Sequence, residues 1–184
     1  MTVDELTPLA LAARGGDRNA LAALFGALQP EVWRYCASMV GTADADDVAQ
    51  DAMIRVVSAI ANYAGTAPAR VWVLGVVRHT CLDWLRSAYR RRALMERLQR
   101  QPRDGHRTEH GWTETADLLA HLDTDRREAF VLTQLLGFSY EQAAETCGCA
   151  IGTIRSRVAR ARLDLLRAAT GAGSSAVSEG REPE

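Results

Sequence analysis

Apolar residues recur at three- and four-residue intervals along most of the chain, and no stretch alternates apolar with polar residues as a half-buried strand does. Ala and Leu dominate these segments, and only five Pro occur in the 184 residues. The pattern predicts an all-α protein. Its helices are expected at about 5–14, 18–28, 31–40, 43–62 and 69–98, and then at about 114–122, 125–136, 140–147 and 151–169.

Residues 99–112 separate these helices into two groups. The segment QRQPRDGHRTEHGW is polar, contains Pro and Gly, and shows no apolar period, which is typical of a linker. The last stretch, GAGSSAVSEGREPE, is rich in Gly, Ser and Glu and predicts a disordered tail. We therefore expect two helical domains, at 1–98 and 113–170, joined by a basic linker at 99–112 and followed by a tail at 171–184.

Several residues predict where helices begin. Asp17 is placed to cap the second helix and Thr42 to cap the fourth, because short polar side chains accept hydrogen bonds from the first free N–H groups. Pro30 suits the first turn of a separate third helix. Ser139 and Gln142 have the spacing of a capping box and predict a helix that starts at residue 140.

Acidic and basic residues nearly balance over the whole chain but are unevenly placed along it. All 22 basic residues are Arg, against 23 Asp+Glu. Residues 78–107 hold nine Arg and three acids, residues 155–167 hold five Arg and one acid, and residues 44–51 hold four Asp and no base. The guanidinium of Arg is a planar fork that suits phosphate and guanine. The net charge of −1 thus conceals two basic surfaces and an acidic one.

The remaining composition excludes several classes of protein. Cys36, Cys81, Cys147 and Cys149 have neither the spacing of a metal site nor that of a disulfide framework, so we expect small buried side chains, with no metal or cofactor. The start of the sequence lacks the basic and apolar segments of an export signal. No segment approaches the roughly 18 consecutive apolar residues of a spanning helix. A cytoplasmic protein that does not insert into a membrane is expected.

Residues 139–158, SYEQAAETCGCAIGTIRSRV, have the layout of a helix-turn-helix. Ala144 is small where two helices cross, Gly148 allows the tight turn, and Ile154 packs the second helix onto the first. The inward face of the second helix is expected to continue through Val158, Ala161 and Leu165. The remaining positions that we expect to contact DNA, here called the recognition set, are Thr153, Arg155, Ser156, Arg157, Arg160 and Arg162.

Within the recognition set the arginines divide by position. Arg155 and Arg160 are expected to reach base edges, and Arg157 and Arg162 to meet phosphates. The alternative is a solvated charged face in which Arg serves solubility. The turn geometry beside so basic a helix favours DNA.

The helix at 43–62 is amphipathic, with Val48, Ala52, Val56 and Ile60 on its apolar face. Its acidic surface, as we call it here, is formed by Asp44, Asp46, Asp47, Gln50 and Asp51. Neighbouring acidic side chains without a basic residue repel one another, so a cationic partner would reduce this repulsion. The alternative is that helix starts favour acids, which accounts less well for Asp51 than for the others.

The helix at 69–98 carries a second polar face. Its outer row, as we call it, follows helical spacing and consists of Trp72, Val76, His79, Asp83, Arg86 and Arg90. An aromatic residue at one end and arginines at the other suit a nucleic acid with an unstacked base and a phosphate backbone. Tyr63, in the loop before this helix, offers a further stacking surface. For Trp72 the alternative is an ordinary core side chain.

Three segments together resemble a known family. DADDVAQDAMIRV, ARVWVLGVVRHTCLDWLR and LTQLLGFSYEQAAETCGCAIGTIRSRVARAR are similar to the polymerase-binding, promoter-melting and distal promoter-reading segments of extracytoplasmic-function sigma factors, the smallest, two-domain members of the bacterial sigma-70 family. The resemblance extends from about residue 8 to residue 169. It implies a subunit that binds core RNA polymerase and directs promoter recognition and transcription initiation.

The resemblance also implies partners and roles. The acidic surface would dock on the coiled-coil clamp of the largest polymerase subunit. The outer row and Tyr63 would recognise and melt the proximal promoter element, and the recognition set would read the distal one. Core polymerase and promoter DNA are thus the expected partners, with an anti-sigma factor as a further candidate. The sequence departs from the family at His79, where Asn is common, and at Ala150, where a better capping residue is usual; both departures bear on promoter preference.

Two other classes of function were considered. A stand-alone helix-turn-helix regulator predicts a dimer that binds duplex DNA tightly without polymerase, but it has no need of both the acidic surface and the outer row. An enzyme that holds magnesium at the acidic surface is rejected, because carboxylates of a metal site converge in a cavity and these lie along one helix. The sequence also lacks a phosphate loop, a nucleophile elbow and a His–carboxylate motif. No enzyme activity is expected of this chain.

Overall fold

The computed structural model describes residues 5–97 and 113–175, and all regular structure within these ranges is helical. The predicted all-α class is thereby confirmed. The helices are α1 (Leu6–Arg14), α2 (Arg18–Val40), α3 (Ala45–Ala59), α4 (Ala69–Arg97), α5 (Thr113–Ala120), α6 (Thr124–Phe130), α7 (Tyr140–Cys147) and α8 (Ile151–Ser175). A 3₁₀ turn, Ile60–Asn62, follows α3, and a π-helical turn, Val131–Leu135, continues α6. The linker predicted at 99–112 lies outside the described residues.

Helix α2 is continuous where the sequence predicted two helices. Pro30 lies in its interior and not in the first turn of a new helix. An internal Pro removes a backbone hydrogen bond and costs about 3 kcal/mol. Leu24, Leu28 and Val32 are nevertheless buried on both sides of it, with at most 1 % exposure. The uninterrupted apolar face outweighs the local cost.

The predicted helix ends are partly confirmed. Asp17 caps α2 by accepting hydrogen bonds from two backbone N–H groups, and Ser139 with Gln142 forms the capping box of α7. Thr42 does not cap α3, because the turn that leaves α2 extends to Asp44 and the helix starts only after it. The predicted tail also started too early: α8 runs on to Ser175, through a stretch of Ala, Gly and Ser that contains no Pro.

The apolar faces predicted for the helices are buried. Val48, Ala52, Val56 and Ile60 of the segment that starts with α3 are at most 7 % exposed. In α8 the side chains of Ile154, Val158 and Ala161 are buried, and Leu165 packs against them half-buried. Among the cysteines, Cys36, Cys81 and Cys147 are buried and Cys149 is half-buried, all as free thiols. Within residues 5–97 and 113–175 no helix is long and apolar enough to cross a membrane.

The helices form two groups, α1–α4 and α5–α8, and these groups pack against each other. Helix α4 contacts α7, and α2 contacts α5 and α6. The centre of this interface is Glu128 of α6, whose side chain is 1 % exposed. Its Oε1 accepts hydrogen bonds from the hydroxyl of Tyr35, at 2.9 Å, and from Nε of Arg78, at 2.6 Å. One buried carboxylate therefore joins three helices.

Neighbouring contacts extend the interface to both sides of Glu128. Arg127 donates to the backbone carbonyl of Met39 at 3.1 Å. Arg70 of α4 donates to the carbonyl of Leu136, and its guanidinium lies 4.2 Å from the centre of the Phe138 ring. Each group of helices thus contributes one arginine that contacts the other group, and one of these arginines, Arg70, also lies over an aromatic ring.

The electrostatics of the interface follow from burial. Burial, followed by the charge of Glu128, raises the pKa of Tyr35 well above its usual value. Burial disfavours the charged form of Arg78, but the hydrogen bond and charge of Glu128 outweigh it, and the pKa of Arg78 is raised. Tyr35 therefore stays neutral and Arg78 stays charged at physiological pH.

Candidate functional site

The acidic surface lies along the exposed side of α3. Asp46, Asp47, Gln50 and Asp51 are exposed, and Asp44 at the start of the helix is half-buried. No ion pair involves these carboxylates among the described residues, so their mutual repulsion is not relieved by the part of the chain that the structure describes. The surface is open to a cationic partner.

An apolar groove of about 920 Å³ runs beside the acidic surface, between α2 and α3. The indole N–H of Trp33 donates a hydrogen bond to Oδ1 of Asp46 at 2.8 Å. This hydrogen bond connects a residue that lines the groove with the acidic surface. Farther along α3, Ile54 is 58 % exposed. The residues that line the groove are Phe25, Gln29, Pro30, Val32, Trp33, Arg34, Asp46, Ala49, Gln50 and Met53.

Acids beside an apolar groove fit a helix that carries both basic and apolar side chains. The acids are visible in the sequence, but the groove is not. Phe25 and Trp33 belong to α2, and nothing in their spacing shows that they face Met53 of α3. An unexplained pair of large aromatic residues in a helix predicted to be interrupted at Pro30 was the only signal.

The outer row of α4 changes from half-buried to exposed along its length. Trp72 and Val76 are half-buried, whereas His79, Arg86 and Arg90 are exposed. The structure therefore places a partly accessible aromatic side chain at one end of the row and exposed arginines at the other. The sequence predicts the same order of side chains, and their contact with nucleic acid stays a prediction.

Asp83, in the same row, connects it to α3. Its Oδ2 accepts a hydrogen bond from Arg55 at 3.1 Å and its Oδ1 accepts one from Arg86 at 2.9 Å. The hydrogen bond from Arg55, and then the charges of Arg55 and Arg86, lower the pKa of Asp83. An ionised Asp83 thus orients two guanidinium groups from different helices toward one surface. The sequence did not predict a place for Arg55 at this surface, since Arg55 lies on the helix assigned to the acidic surface.

Tyr63 lies in the loop before α4, as predicted, but its side chain is buried. Its side chain is 1 % exposed, its hydroxyl donates to the carbonyl of Ala67 at 2.5 Å, and its ring centre is 5.1 Å from that of Trp72. A ring in this position offers no face to a base, so the predicted stacking surface at Tyr63 is corrected to a packing role. The Tyr63 ring packs against the Trp72 ring. Burial of an aromatic ring in an apolar core is favourable, which accounts for this position.

The recognition set lies on the outward side of α8, but its members differ in the hydrogen bonds and ion pairs that they form with other helices. Arg155 and Arg160 are exposed and make no hydrogen bond or ion pair with any residue that the structure describes. Arg157 is only 22 % exposed and is hydrogen-bonded to Asp125. Arg162 donates to Oε1 of Gln134 at 2.7 Å. Ser156 is exposed and Thr153 is half-buried.

These contacts separate two tasks within α8. The guanidinium groups of Arg155 and Arg160 are exposed and form no hydrogen bond or ion pair with a described residue. Arg157 is engaged with Asp125 of α6, so its guanidinium helps hold the recognition helix in place. This pairing cannot be predicted from the sequence, because Asp125 lies 32 residues away on another helix.

Comparison with protein-family models finds two matches. Residues 24–91 match the model "Sigma-70 region 2", which covers α3, the outer row and most of α2 and α4. Residues 113–165 match the model "Sigma-70, region 4", which covers α5–α7 and the first part of α8.

Among curated proteins, the chain is 43 % identical to the "Probable RNA polymerase sigma-C factor" of Mycobacterium bovis over 168 residues, which cover 89 % of this chain and 90 % of that protein. It is 35 % identical to the "ECF RNA polymerase sigma factor EcfG" of Rhodopseudomonas palustris over 146 residues, or 74 % of this chain and 77 % of the relative.

Among solved structures, CnrH in complex with the cytosolic domain of CnrY superposes with a TM-score of 0.72 and 26 % identity, over 92 % of this chain and 99 % of the other. The sigma factor RpoE in complex with the anti-sigma factor NepR, from Bartonella quintana, gives a TM-score of 0.66 and 28 % identity, over 78 % of this chain and 92 % of the other.

Proposed function

Since this chain belongs to the sigma-70 family as an extracytoplasmic-function sigma factor of bacterial RNA polymerase, we propose that it docks through α3 and reads its promoter through α4 and α8. Proteins of this family are not enzymes. We propose that the polymerase alone carries out RNA synthesis and that this chain binds it in the cytoplasm. The observation that supports the proposal is the combination on one chain of an uncompensated acidic helix and two separate faces with free arginines. A stand-alone regulator has no use for the first.

Docking is proposed to use the acidic surface and the apolar groove together. The clamp of the largest polymerase subunit would place basic side chains against Asp47 and Asp51 and apolar side chains against Trp33. Charge steers the encounter and fixes the register, whereas the buried apolar contact supplies most of the affinity. Asp46 is already hydrogen-bonded to Trp33, so its proposed role includes shaping the groove.

Distal promoter reading is proposed to rely on Arg155 and Arg160, the two arginines of the recognition set that form no hydrogen bond or ion pair with a described residue. Replacing either with Ala is expected to cost about 1–3 kcal/mol of binding and to relax preference at one or two base pairs. Arg157→Ala is expected to weaken binding to all sequences alike and to lower the stability of the domain, because it leaves Asp125 without its partner. Electrophoretic mobility shifts on a library of distal elements, with thermal unfolding of each variant, check both expectations. If Arg155→Ala instead loses the same affinity for every distal element, Arg155 contacts phosphate and not a base.

Promoter melting is proposed to use Trp72, with Tyr63 behind it. Stacking of one base on an aromatic ring contributes roughly 1–3 kcal/mol, enough to offset most of the cost of unstacking it. Trp72→Ala is therefore expected to bind core polymerase normally but to open promoters poorly, as measured by permanganate footprinting.

A pre-melted promoter supplies the matched test for Trp72→Ala, because the bubble removes the need for melting. Rescue by the bubble supports a base contact, and failure of rescue assigns Trp72 to packing. Tyr63→Phe serves as a control: it keeps the ring and loses only the hydroxyl contact to Ala67, and it is expected to open promoters as the parent does.

An anti-sigma factor is proposed as a further partner of this chain. The solved structure of the sigma factor RpoE holds the anti-sigma factor NepR, and that of CnrH holds the cytosolic domain of CnrY. Run-off transcription with purified core polymerase on fragments of the genome, with mapped start sites, tests the sigma function itself. Addition of candidate partners to the same reaction tests whether transcription is suppressed.

A further inference from the structure

Helix α1 lies outside the residues that match either family model, yet it contacts the segment that leads into α4. Thr7, Leu11 and Arg14 follow one another at four- and three-residue spacings and therefore share one face of the helix. We call this face the α1 stripe. Each of its three side chains contacts the loop before α4, residues 63–68, or the first residue of α4 itself.

Thr7 supplies the cap that α4 lacks in its own sequence. The carbonyl of Pro68 accepts a hydrogen bond from the backbone N–H of Trp72 at 3.1 Å, so Pro68 holds the N-cap position of α4. Its side chain has no oxygen that could accept from the free N–H groups of the first turn. Oγ1 of Thr7 accepts instead from the N–H of Ala69, a buried residue, at 3.1 Å. The turn that carries Trp72 is thus capped from α1.

Arg14 and Leu11 hold the loop itself. Nη1 of Arg14 donates to the backbone carbonyl of Tyr63 at 3.0 Å. Gly65 has a φ of +75°, and a Cβ added there would lie 3.1 Å from Cδ2 of Leu11. The backbone of the loop therefore lies directly against the Leu11 side chain. The α1 stripe contacts the start and the middle of the loop and the first residue after it.

The held loop determines the surroundings of Trp72. Its half-buried ring packs against the ring of Tyr63, with 5.1 Å between the ring centres. Arg14 holds the backbone of Tyr63, and Thr7 holds the helical turn in which Trp72 lies. A side chain that is fixed before its ligand arrives loses less conformational entropy on binding. The α1 stripe is therefore placed to prepare the Trp72 ring for a ligand.

We propose that α1 positions Trp72 for promoter opening, and that Thr7, Leu11 and Arg14 are positioning residues that act through this ring. The inference rests on the proposed function, in which Trp72 contributes to melting. It extends that function to a helix that neither family model covers. The α1 stripe should accordingly affect promoter opening but not the binding of core polymerase, for which α3 is proposed.

Variants of Thr7 test the cap with the reconstituted holoenzyme and permanganate footprinting. Thr7→Val keeps the shape of the side chain and loses the acceptor. It should lower promoter opening by about 2- to 30-fold, because loss of a cap reduces the population in which the first turn of α4 is correctly placed. Thr7→Ser keeps the hydroxyl and should open promoters as the parent does. Both variants should bind core polymerase with the parent's affinity.

Variants of arginine test the second contact. Arg14→Met removes the hydrogen bond to Tyr63 and should lower promoter opening by about 2- to 10-fold. Arg18→Met is the matched control. Arg18 is exposed at the start of α2 and forms no hydrogen bond or ion pair with any residue that the structure describes, so the same loss of charge there should leave opening unchanged.

A double variant separates positioning from a general structural role. Thr7→Val combined with Trp72→Ala should open promoters as poorly as Trp72→Ala alone, because the cap then has no ring to position. A merely structural role would instead lower the amount of folded protein and multiply the two losses. Multiplied losses, or a parallel loss of polymerase affinity in Thr7→Val, would overturn the inference.

The remaining outcomes separate the inference from the proposed function. If Thr7→Val and Arg14→Met both open promoters as the parent does while Trp72→Ala opens them poorly, α1 has no positioning role and the melting role of Trp72 stands. If Trp72→Ala itself opens promoters as the parent does, the proposed melting role is wrong, and the inference that rests on it is wrong as well.

Discussion

Reversing the charge of both Asp47 and Asp51 to Lys is expected to abolish co-purification of the chain with core polymerase. Both carboxylates are exposed on α3, and neither forms an ion pair with a described residue. The double variant turns two attractive contacts with a basic partner into two repulsions, and like charges facing each other across an interface cost several kcal/mol. Because neither side chain belongs to the apolar face, the helix itself should remain folded.

A matched control carries the same charge change on the other group of helices. Asp117 and Glu145 are exposed on α5 and α7, and reversing both to Lys should leave polymerase binding unchanged. Circular dichroism should show equal helical content in the two double variants. Undiminished polymerase binding by the Asp47/Asp51 variant would contradict the docking assignment.

The groove provides an independent check on the same surface. Trp33→Ala removes a large apolar side chain from its wall and also the hydrogen bond to Asp46. Buried aromatic anchors at interfaces typically contribute 2 kcal/mol or more, so affinity for core polymerase should fall by roughly 30-fold or more. Unlike the charge reversal, this loss should persist at high salt, since apolar contact is not screened.

The sequence predicted the local parts of this fold well, because helix periodicity and caps depend on residues within a few positions of each other. The capping box at Ser139 and the buried face of α3 are such features. Pro30 misled the prediction for the same reason: a local rule placed a helix start there, and packing of distant side chains overrode it.

Features that depend on distant residues were missed. The pairing of Arg157 with Asp125 and the burial of Tyr63 both come from the way one helix meets another. An arginine on a recognition helix looks the same in sequence whether it faces DNA or a neighbouring acid. A tyrosine in a loop likewise carries no mark of whether its ring faces water or the core.

The buried carboxylate of Glu128 is the strongest example. It lies 93 residues from Tyr35 and 50 from Arg78, and in sequence it is one of many Glu on polar helices. Charged residues are almost never fully buried unless they are paired, so nothing local could have predicted its position. Only the meeting of α2, α4 and α6 creates the site.

Glu128→Ala is accordingly expected to loosen the interface between the two groups of helices. It leaves the buried hydroxyl of Tyr35 without an acceptor. It also leaves the half-buried guanidinium of Arg78 without its counter-charge. Removing one partner of a buried ion pair costs about 3–5 kcal/mol. Since Glu128 contacts the other group of helices through its carboxylate, much of this loss should fall on the contact between the groups. Small-angle X-ray scattering is expected to show a larger radius of gyration, and thermal unfolding a lower first transition.

Two further variants decide whether the charge pair is responsible. Glu145→Ala removes an exposed acid of the same group of helices and should change neither measurement, since surface substitutions usually stay within about 0.5 kcal/mol. Glu128→Leu combined with Arg78→Met removes both charges and should recover part of the lost stability, because an apolar pair of similar volume replaces a buried ion pair with little penalty. If Glu128→Ala keeps the size and unfolding temperature of the parent, the interface is held by its other contacts, such as Arg70 with Phe138. If the double variant is no more stable than Glu128→Ala, neither the unpaired charge of Arg78 nor the lost side-chain volume explains the loss, and it is assigned to the Tyr35 hydroxyl that is left without an acceptor.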